Sequence, residues 1–110
     1  MCSSDLAHGP IVSIPYTVET NDITMMALQQ HASEELLRRG LDQFERLYRE
    51  SAEITRVMAI SVHPYITGVP HRIAAFERLL DAVLSKPRVG VMTGEAIADW
   101  YSAQVPAPKA

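Results

Sequence analysis

The run VMAISVHP at residues 57–64 decides the fold class of this chain. Its first six positions are apolar apart from Ser61, and the β-branched Val57 and Val62 stand at the two ends of this apolar part. A short run of this kind is typical of a strand that is buried on both faces, as the strands of parallel sheets are. Pro64 fixes the backbone where the chain leaves the strand. The run therefore predicts an α/β chain.

Helical patterns lie on both sides of this strand. Ser33 precedes Glu34 and Glu35, which predicts an N-cap and an acidic first turn, and an apolar stripe follows at positions 37, 41, 44 and 48. Gly40 lies inside that helix and costs it about 1 kcal/mol relative to alanine. Pro70 fits the first turn of a second helix, whose apolar stripe occupies positions 73, 76, 80 and 83.

Two further short apolar runs, at residues 11–14 and 89–92, predict strands, and Thr93 is expected to cap a last helix. The order β-α-β-α-β-α implies parallel strands with right-handed crossovers. In such folds ligands bind outside the carboxyl ends of the strands. This rule selects one edge, which consists of residues 16–22, 63–68 and 93–95.

Two candidates for chemistry lie on that edge. His63 ends a buried strand, where an imidazole can be held by a neighbour and act as an acid or base, or can simply cap the strand with a hydrogen bond. Position alone leaves both interpretations open. Asn21 and Asp22 follow the first strand, where a carboxylate can bind substrate or orient a catalytic group. Their spacing favours a turn in which the side chains bond their own backbone.

Composition excludes several classes of function. The net charge of −3 argues against nucleic acid or an anionic membrane as the partner, since phosphate binding needs clustered cations. A single cysteine excludes an internal disulfide and a cysteine-based zinc site, and the four histidines lack ligand spacing. No metal ligand is therefore predicted within this chain. Nothing resembles a secretory signal or a membrane span, which favours the cytoplasm without deciding the location.

Four segments in the right order resemble the polysaccharide deacetylase (NodB-homology) family, in the branch with allantoinase-like and peptidoglycan-deacetylase-like members. They are SIPYTVETND at residues 13–22, FERLYRE at 44–50, MAISVHPYITGVPHR at 58–72, and the closing strand and helix at 89–101. Ala96 departs from the usual form of the last segment. Together they cover roughly residues 10–101.

The resemblance implies a deformed (β/α) barrel that hydrolyses a non-peptide C–N bond. It implies that a zinc-type divalent metal activates water in metal-dependent members, that an early Asp acts as the base, and that a late His protonates the leaving nitrogen. His63 matches that late His, and Tyr16, Asn21 and Asp22 match positions expected to contact the substrate. The base and metal ligands belong to motifs that precede residue 10, so the resemblance predicts a C-terminal fragment that is inactive by itself.

The expected organisation has three parts. Residues 1–9 are expected to be non-native or disordered, because residues 1–6 match the translation of a sequencing adapter, although a genuine polar tail is the alternative. Residues 10–102 form the deacetylase part, and residues 103–110 are an Ala/Pro-rich disordered tail. The expected partner is a polysaccharide or small-molecule substrate, with self-association into a homo-oligomer as a further expectation. An allantoinase-like cyclic-amide hydrolase and a small α/β interaction module without catalysis remain the alternatives.

Overall fold

The computed structural model describes residues 2–7 and 9–106. The chain divides into two compact units. The larger unit is Tyr16–Val89, and the smaller one combines Met1–Pro15 with Gly90–Ala110.

Two helices build the larger unit. Helix α1 spans Glu34–Glu50 and helix α2 spans Ile73–Leu84, as their apolar periodicity predicts. A π-helical turn at Ile23–Leu28 precedes them and buries two methionines. The core consists of Met25, Met26, Leu36, Ile66 and Leu79. Ser33 stands at the N-cap of α1 but its hydroxyl makes no capping hydrogen bond, because Ser33 already has helical backbone angles.

At Gly40, helix α1 lies directly against the Leu79 side chain of α2. A Cβ atom at Gly40 would lie 2.5 Å from Cδ2 and 2.8 Å from Cδ1 of Leu79, which is fully buried. From the sequence alone, Gly40 only lowers the stability of α1. In the fold, the absence of a side chain at Gly40 leaves the space in which Leu79 packs.

The prediction of a regular strand at residues 57–62 is wrong, because the structure has only an isolated bridge at Ser61 there. The only pairing of this segment in the described chain is one parallel bridge between Asn21 and Ser61, with hydrogen bonds from Asp22 N to Ser61 O (3.1 Å) and from Ser61 N to Thr20 O (3.0 Å). The parallel direction agrees with the prediction, but a ladder needs a partner along the whole segment. The described residues supply one only beside Ser61, so the barrel slice is not confirmed.

The smaller unit contains a hairpin and a helix. Strand β1 (Cys2–Leu6) pairs antiparallel with β2 (Gly9–Ser13). Strand β2 overlaps the strand predicted at residues 11–14, but the prediction of parallel pairing is wrong for it, because the short connection between β1 and β2 makes a hairpin. Helix α3 spans Gly94–Gln104, and Thr93 caps it by accepting a hydrogen bond from Ala96 N at 3.2 Å. Residues 89–92 form no strand, so that prediction is wrong, because nothing among the described residues pairs with them.

The two segments expected to be disordered fall partly outside the described residues. Met1, His8 and residues 107–110 are in that category, whereas residues 2–6 form β1 and α3 continues to Gln104. No helix in the described ranges has the length and apolar character needed to span a membrane.

Candidate active site

Asp22 is the centre of a hydrogen-bonded cluster in the larger unit. Its Oδ1 lies 2.7 Å from His63 Nδ1, and its Oδ2 accepts hydrogen bonds from His63 N (2.6 Å) and from the Thr67 hydroxyl (2.7 Å). The side chain has no exposed surface. A buried carboxylate needs such partners, because leaving an ionised group unpaired in the interior is costly.

Local backbone structure brings these groups together. The parallel bridge between Asn21 and Ser61 aligns the two segments so that Asp22 and His63 meet just beyond it. A tight turn follows, in which the carbonyl oxygen of His63 accepts hydrogen bonds from the backbone amides of Ile66 (3.0 Å) and Thr67 (2.9 Å). The turn returns the Thr67 hydroxyl to the carboxylate. Two of the three segments that the edge rule selects, residues 16–22 and 63–68, thus meet in the larger unit.

The protonation of Asp22 is set by opposing effects. Burial raises the pKa of this carboxyl group, but the hydrogen bonds from the His63 amide, the His63 ring and the Thr67 hydroxyl outweigh it and leave the pKa below its ordinary value. Asp22 is therefore ionised at neutral pH. An ionised carboxylate only accepts hydrogen bonds, so the proton of the Asp22–His63 contact belongs to Nδ1.

This assignment fixes which atom of His63 can react. With Nδ1–H bound to Asp22, the remaining ring nitrogen, Nε2, carries a lone pair in the neutral imidazole and a proton in the imidazolium. The His63 side chain keeps 27% of its surface exposed, whereas that of Asp22 is fully buried. The pair can therefore accept or donate one proton at Nε2 while the carboxylate holds the ring in place.

The other predicted site residues have separate positions. Asn21 is buried, and its Oδ1 accepts a hydrogen bond from Ile23 N at 3.0 Å, which is the side-chain turn that its spacing favours. Its amide nitrogen donates to Thr17 O (3.3 Å) and reaches the Tyr16 hydroxyl at 3.5 Å. Tyr16 is exposed and remains available to a ligand. Because Asp22 has no exposed surface, its geometry favours orienting His63 over direct contact with a substrate.

Residues 93–95, the third segment of the predicted edge, belong to the smaller unit and begin α3 there. They are not part of the Asp22–His63 cluster as described within Tyr16–Val89. Thr93 serves as a helix cap in its own unit.

The described residues do not fit a metal site. In residues 2–7 and 9–106, no three His, Cys, Asp or Glu side chains are grouped so that they could hold an ion. Asp22, the carboxylate beside His63, is fully buried, and both of its oxygens accept hydrogen bonds from His63 or Thr67.

Sequence reasoning missed two residues of the site. The Thr67 hydroxyl donates a hydrogen bond to Asp22. In the sequence, the one feature that points to Thr67 as a site residue is its place in the segment after His63. Tyr65 contacts His63, with ring centroids 5.6 Å apart and ring planes at 58°. Both lie in the turn after His63, so the edge rule selected their segment but could not say which side chains contact Asp22 or His63.

Comparisons with known proteins place this geometry in context. No family model matches the chain. A Schizosaccharomyces pombe protein whose name assigns it to the polysaccharide deacetylases is 33% identical over 98 residues, which are 87% of this chain and 31% of that protein. A crystal structure from Pseudomonas aeruginosa, whose name makes the same assignment, superposes with a TM-score of 0.84 at 31% identity. That match covers 93% of this chain and 34% of the other. The chain thus spans about a third of the length of each relative.

Proposed function

We propose, from the premise that this chain is homologous to about a third of a polysaccharide deacetylase, that it supplies the acid half of a C–N hydrolase site. The observation that carries the proposal is the fully buried carboxyl group of Asp22, which lies 2.7 Å from Nδ1 of the partly exposed His63. The substrate class is an N-acetylated sugar polymer, as the names of both relatives suggest. The reaction is hydrolysis of the acetamide to acetate and an amine.

His63 acts on the leaving nitrogen in this proposal. When the tetrahedral intermediate of amide hydrolysis collapses, the amine leaves only if its nitrogen gains a proton, and the protonated Nε2 donates it. Positioned acids of this kind contribute typically about 10²–10⁴-fold to the rate. Asp22 is a positioning residue, because it holds the ring through Nδ1 and stabilises the imidazolium without touching the substrate.

The other half of the chemistry comes from elsewhere in this proposal. We assign the activation of water, with a divalent metal of the zinc type where the enzyme is metal-dependent, to residues outside the third of the relatives' length that this chain matches. A general acid without an activated nucleophile accelerates little. The 110-residue chain by itself is therefore expected to be inactive toward acetamides.

A chimera tests the proposal. Residues 10–102 of this chain replace the matching residues of the Pseudomonas aeruginosa relative, and hydrolysis of N-acetylated chitooligosaccharides is measured by acetate release. We expect an active chimera in which His63→Gln lowers kcat by about 10²–10⁴-fold. The matched control is His71→Gln, because His71 is exposed and lies outside the Asp22 cluster.

The outcomes separate the alternatives. A chimera that cleaves a cyclic amide such as allantoin, and leaves acetamido sugars intact, would assign the allantoinase-like function. A folded chimera without activity on either substrate, or an active one that His63→Gln leaves unchanged, would contradict catalysis by His63. The latter results would favour an interaction module in which the imidazole is structural.

A further inference from the structure

Tyr65 is an exposed aromatic residue in direct contact with His63. It keeps 70% of its surface exposed, yet its ring lies beside the imidazole at a centroid distance of 5.6 Å. A single exposed aromatic residue is ordinary on a protein surface. An exposed ring fixed against the reacting side chain of a site is not, because it forms part of the wall that a substrate meets.

The position of Tyr65 is set by a firm turn. The two following residues, Ile66 and Thr67, are 7% and 2% exposed, and both of their amides bind the carbonyl oxygen of His63. The hydroxyl of Thr67 is bound to Asp22. Tyr65 therefore projects from a segment that is anchored directly after it, and its ring stays next to His63.

We infer that Tyr65 is a substrate-binding residue, whose exposed ring packs against the apolar C–H face of the sugar ring that carries the acetamide. This inference rests on the proposed function and adds the subsite that positions the sugar. Aromatic walls with a few polar groups are the usual lining of small-molecule sites. A tyrosine has only two side-chain torsions to fix and offers a hydroxyl to the sugar, so it binds a polar ring at low entropic cost.

A sugar ring packed on Tyr65 lies beside the imidazole, and its acetamide group is then presented to Nε2. Tyr16 is exposed to the same extent, and its hydroxyl accepts a hydrogen bond from Asn21, the residue before Asp22. Tyr65 thus contacts His63 directly, whereas Tyr16 is hydrogen-bonded to the neighbour of Asp22 in the sequence.

The first test is binding by the 110-residue chain itself, which needs no catalysis. Tri-N-acetylchitotriose at millimolar concentration is titrated into the chain, and ligand line broadening and protein amide shifts are followed by NMR. We expect amide shifts confined to residues near 63–68, a loss of affinity of about tenfold in Tyr65→Ala, and retained affinity in Tyr65→Phe. Ile54→Ala is the control, since Ile54 is also exposed but lies before the segment that leads to His63.

The second test uses the active chimera. Tyr65→Ala should raise the KM of the chimera about tenfold with little change in kcat, whereas Tyr65→Phe should keep the KM of the unsubstituted chimera. A fall in kcat at constant KM would show that Tyr65 only supports His63, and would overturn a binding role. Unchanged binding in folded Tyr65→Ala, or the absence of shifts near 63–68 in the wild-type chain, would overturn it as well. Because the NMR result does not depend on turnover, an inactive chimera would count against the proposed function alone.

Discussion

Asp22 and His63, which are 41 residues apart in the sequence, are joined by two hydrogen bonds to the same carboxylate, one from the ring nitrogen and one from the backbone amide of the histidine. The ring bond fixes the imidazole, and the amide bond fixes the backbone that carries it. Because the carboxylate is fully buried, the pair also ties two segments of the larger unit together. Stability and the proposed catalysis therefore depend on the same atoms.

Replacing Asp22 by Asn should damage both properties. An amide group has one acceptor oxygen and one donor nitrogen, so it cannot accept from His63 N, His63 Nδ1 and the Thr67 hydroxyl together. Leaving a buried donor unpaired costs about 1–3 kcal/mol. Asp22→Asn should therefore lower the free energy of unfolding of the chain by that amount, as measured by urea denaturation.

The same substitution should lower kcat of the chimera by about 10²-fold or more, because an amide donor facing Nδ1 favours the wrong tautomer of His63. Thr67→Val is the graded comparison. It removes one donor to Asp22 and leaves both bonds to His63, so it should cost about 1 kcal/mol of stability and change kcat little. Equal losses of kcat in the two variants would argue that Asp22 acts through packing alone.

Acid should destabilise the larger unit through Asp22. Its folded-state pKa lies below the ordinary value of 3.8, so the group contributes stability that is fully present above pH 3.8. That contribution is lost as the pH falls through the lower, folded-state pKa. Urea denaturation between pH 2 and pH 6 should show this loss in the wild-type chain and a flatter profile in Asp22→Asn.

Glu35 provides an internal comparison for the acid effect. Hydrogen bonds from Arg38 and Arg39 lower the pKa of Glu35 to about 2, but these ion pairs are partly open to solvent. Added salt screens such pairs more than it screens a buried group. In 1 M salt, the difference in acid profile between the wild-type chain and Asp22→Asn should persist, while that between the wild-type chain and Glu35→Gln should shrink. If salt removed both differences, Asp22 would not be acting as a buried group.

The sequence predicts the helices and the site segments better than the sheet. Helices α1 and α2 each carry their own apolar stripe, which is local information, and Thr93 needs only its own helix to act as a cap. A strand depends on distant partners, and residues 57–62 have one bridge in the described chain. Burial of Asp22 also could not be predicted, because it follows from contacts with His63 and Thr67 that no spacing rule encodes.

Gly40 offers a test of the contact between α1 and α2. Alanine is a better helix former by about 1 kcal/mol, but its Cβ would meet the buried Leu79, and overpacking a core costs typically about 1–3 kcal/mol. We expect Gly40→Ala to lower the unfolding free energy by about 1 kcal/mol. In the background of Leu79→Ala, where space is free, the same change should stabilise the chain. A loss of equal size in both backgrounds would show that Leu79 does not set the requirement for glycine.

Gly68 tests whether the turn after His63 holds the site together. A Cβ atom there would lie 2.5 Å from the carbonyl oxygen of Pro64 and 3.1 Å from its Cα, and these are backbone atoms that cannot move aside without opening the turn. Opening the turn weakens the hydrogen bonds from the Ile66 and Thr67 amides to the His63 carbonyl oxygen, and it moves the Thr67 hydroxyl away from Asp22. Gly68→Ala should therefore cost about 1–3 kcal/mol of stability and shift the NMR signals of the His63 ring.

Gly90→Ala is the matched control for this change, because a Cβ atom at Gly90 meets nothing within 4 Å and the residue lies outside Tyr16–Val89. That variant should be neutral, or more stable by up to about 1 kcal/mol through reduced freedom of the unfolded chain. The comparison separates a general effect of losing glycine from a clash in the turn. A stable Gly68→Ala chain with unchanged His63 signals would mean that the Asp22–His63 pair keeps its geometry without the tight turn, and that the bridge at Ser61 is sufficient to align it.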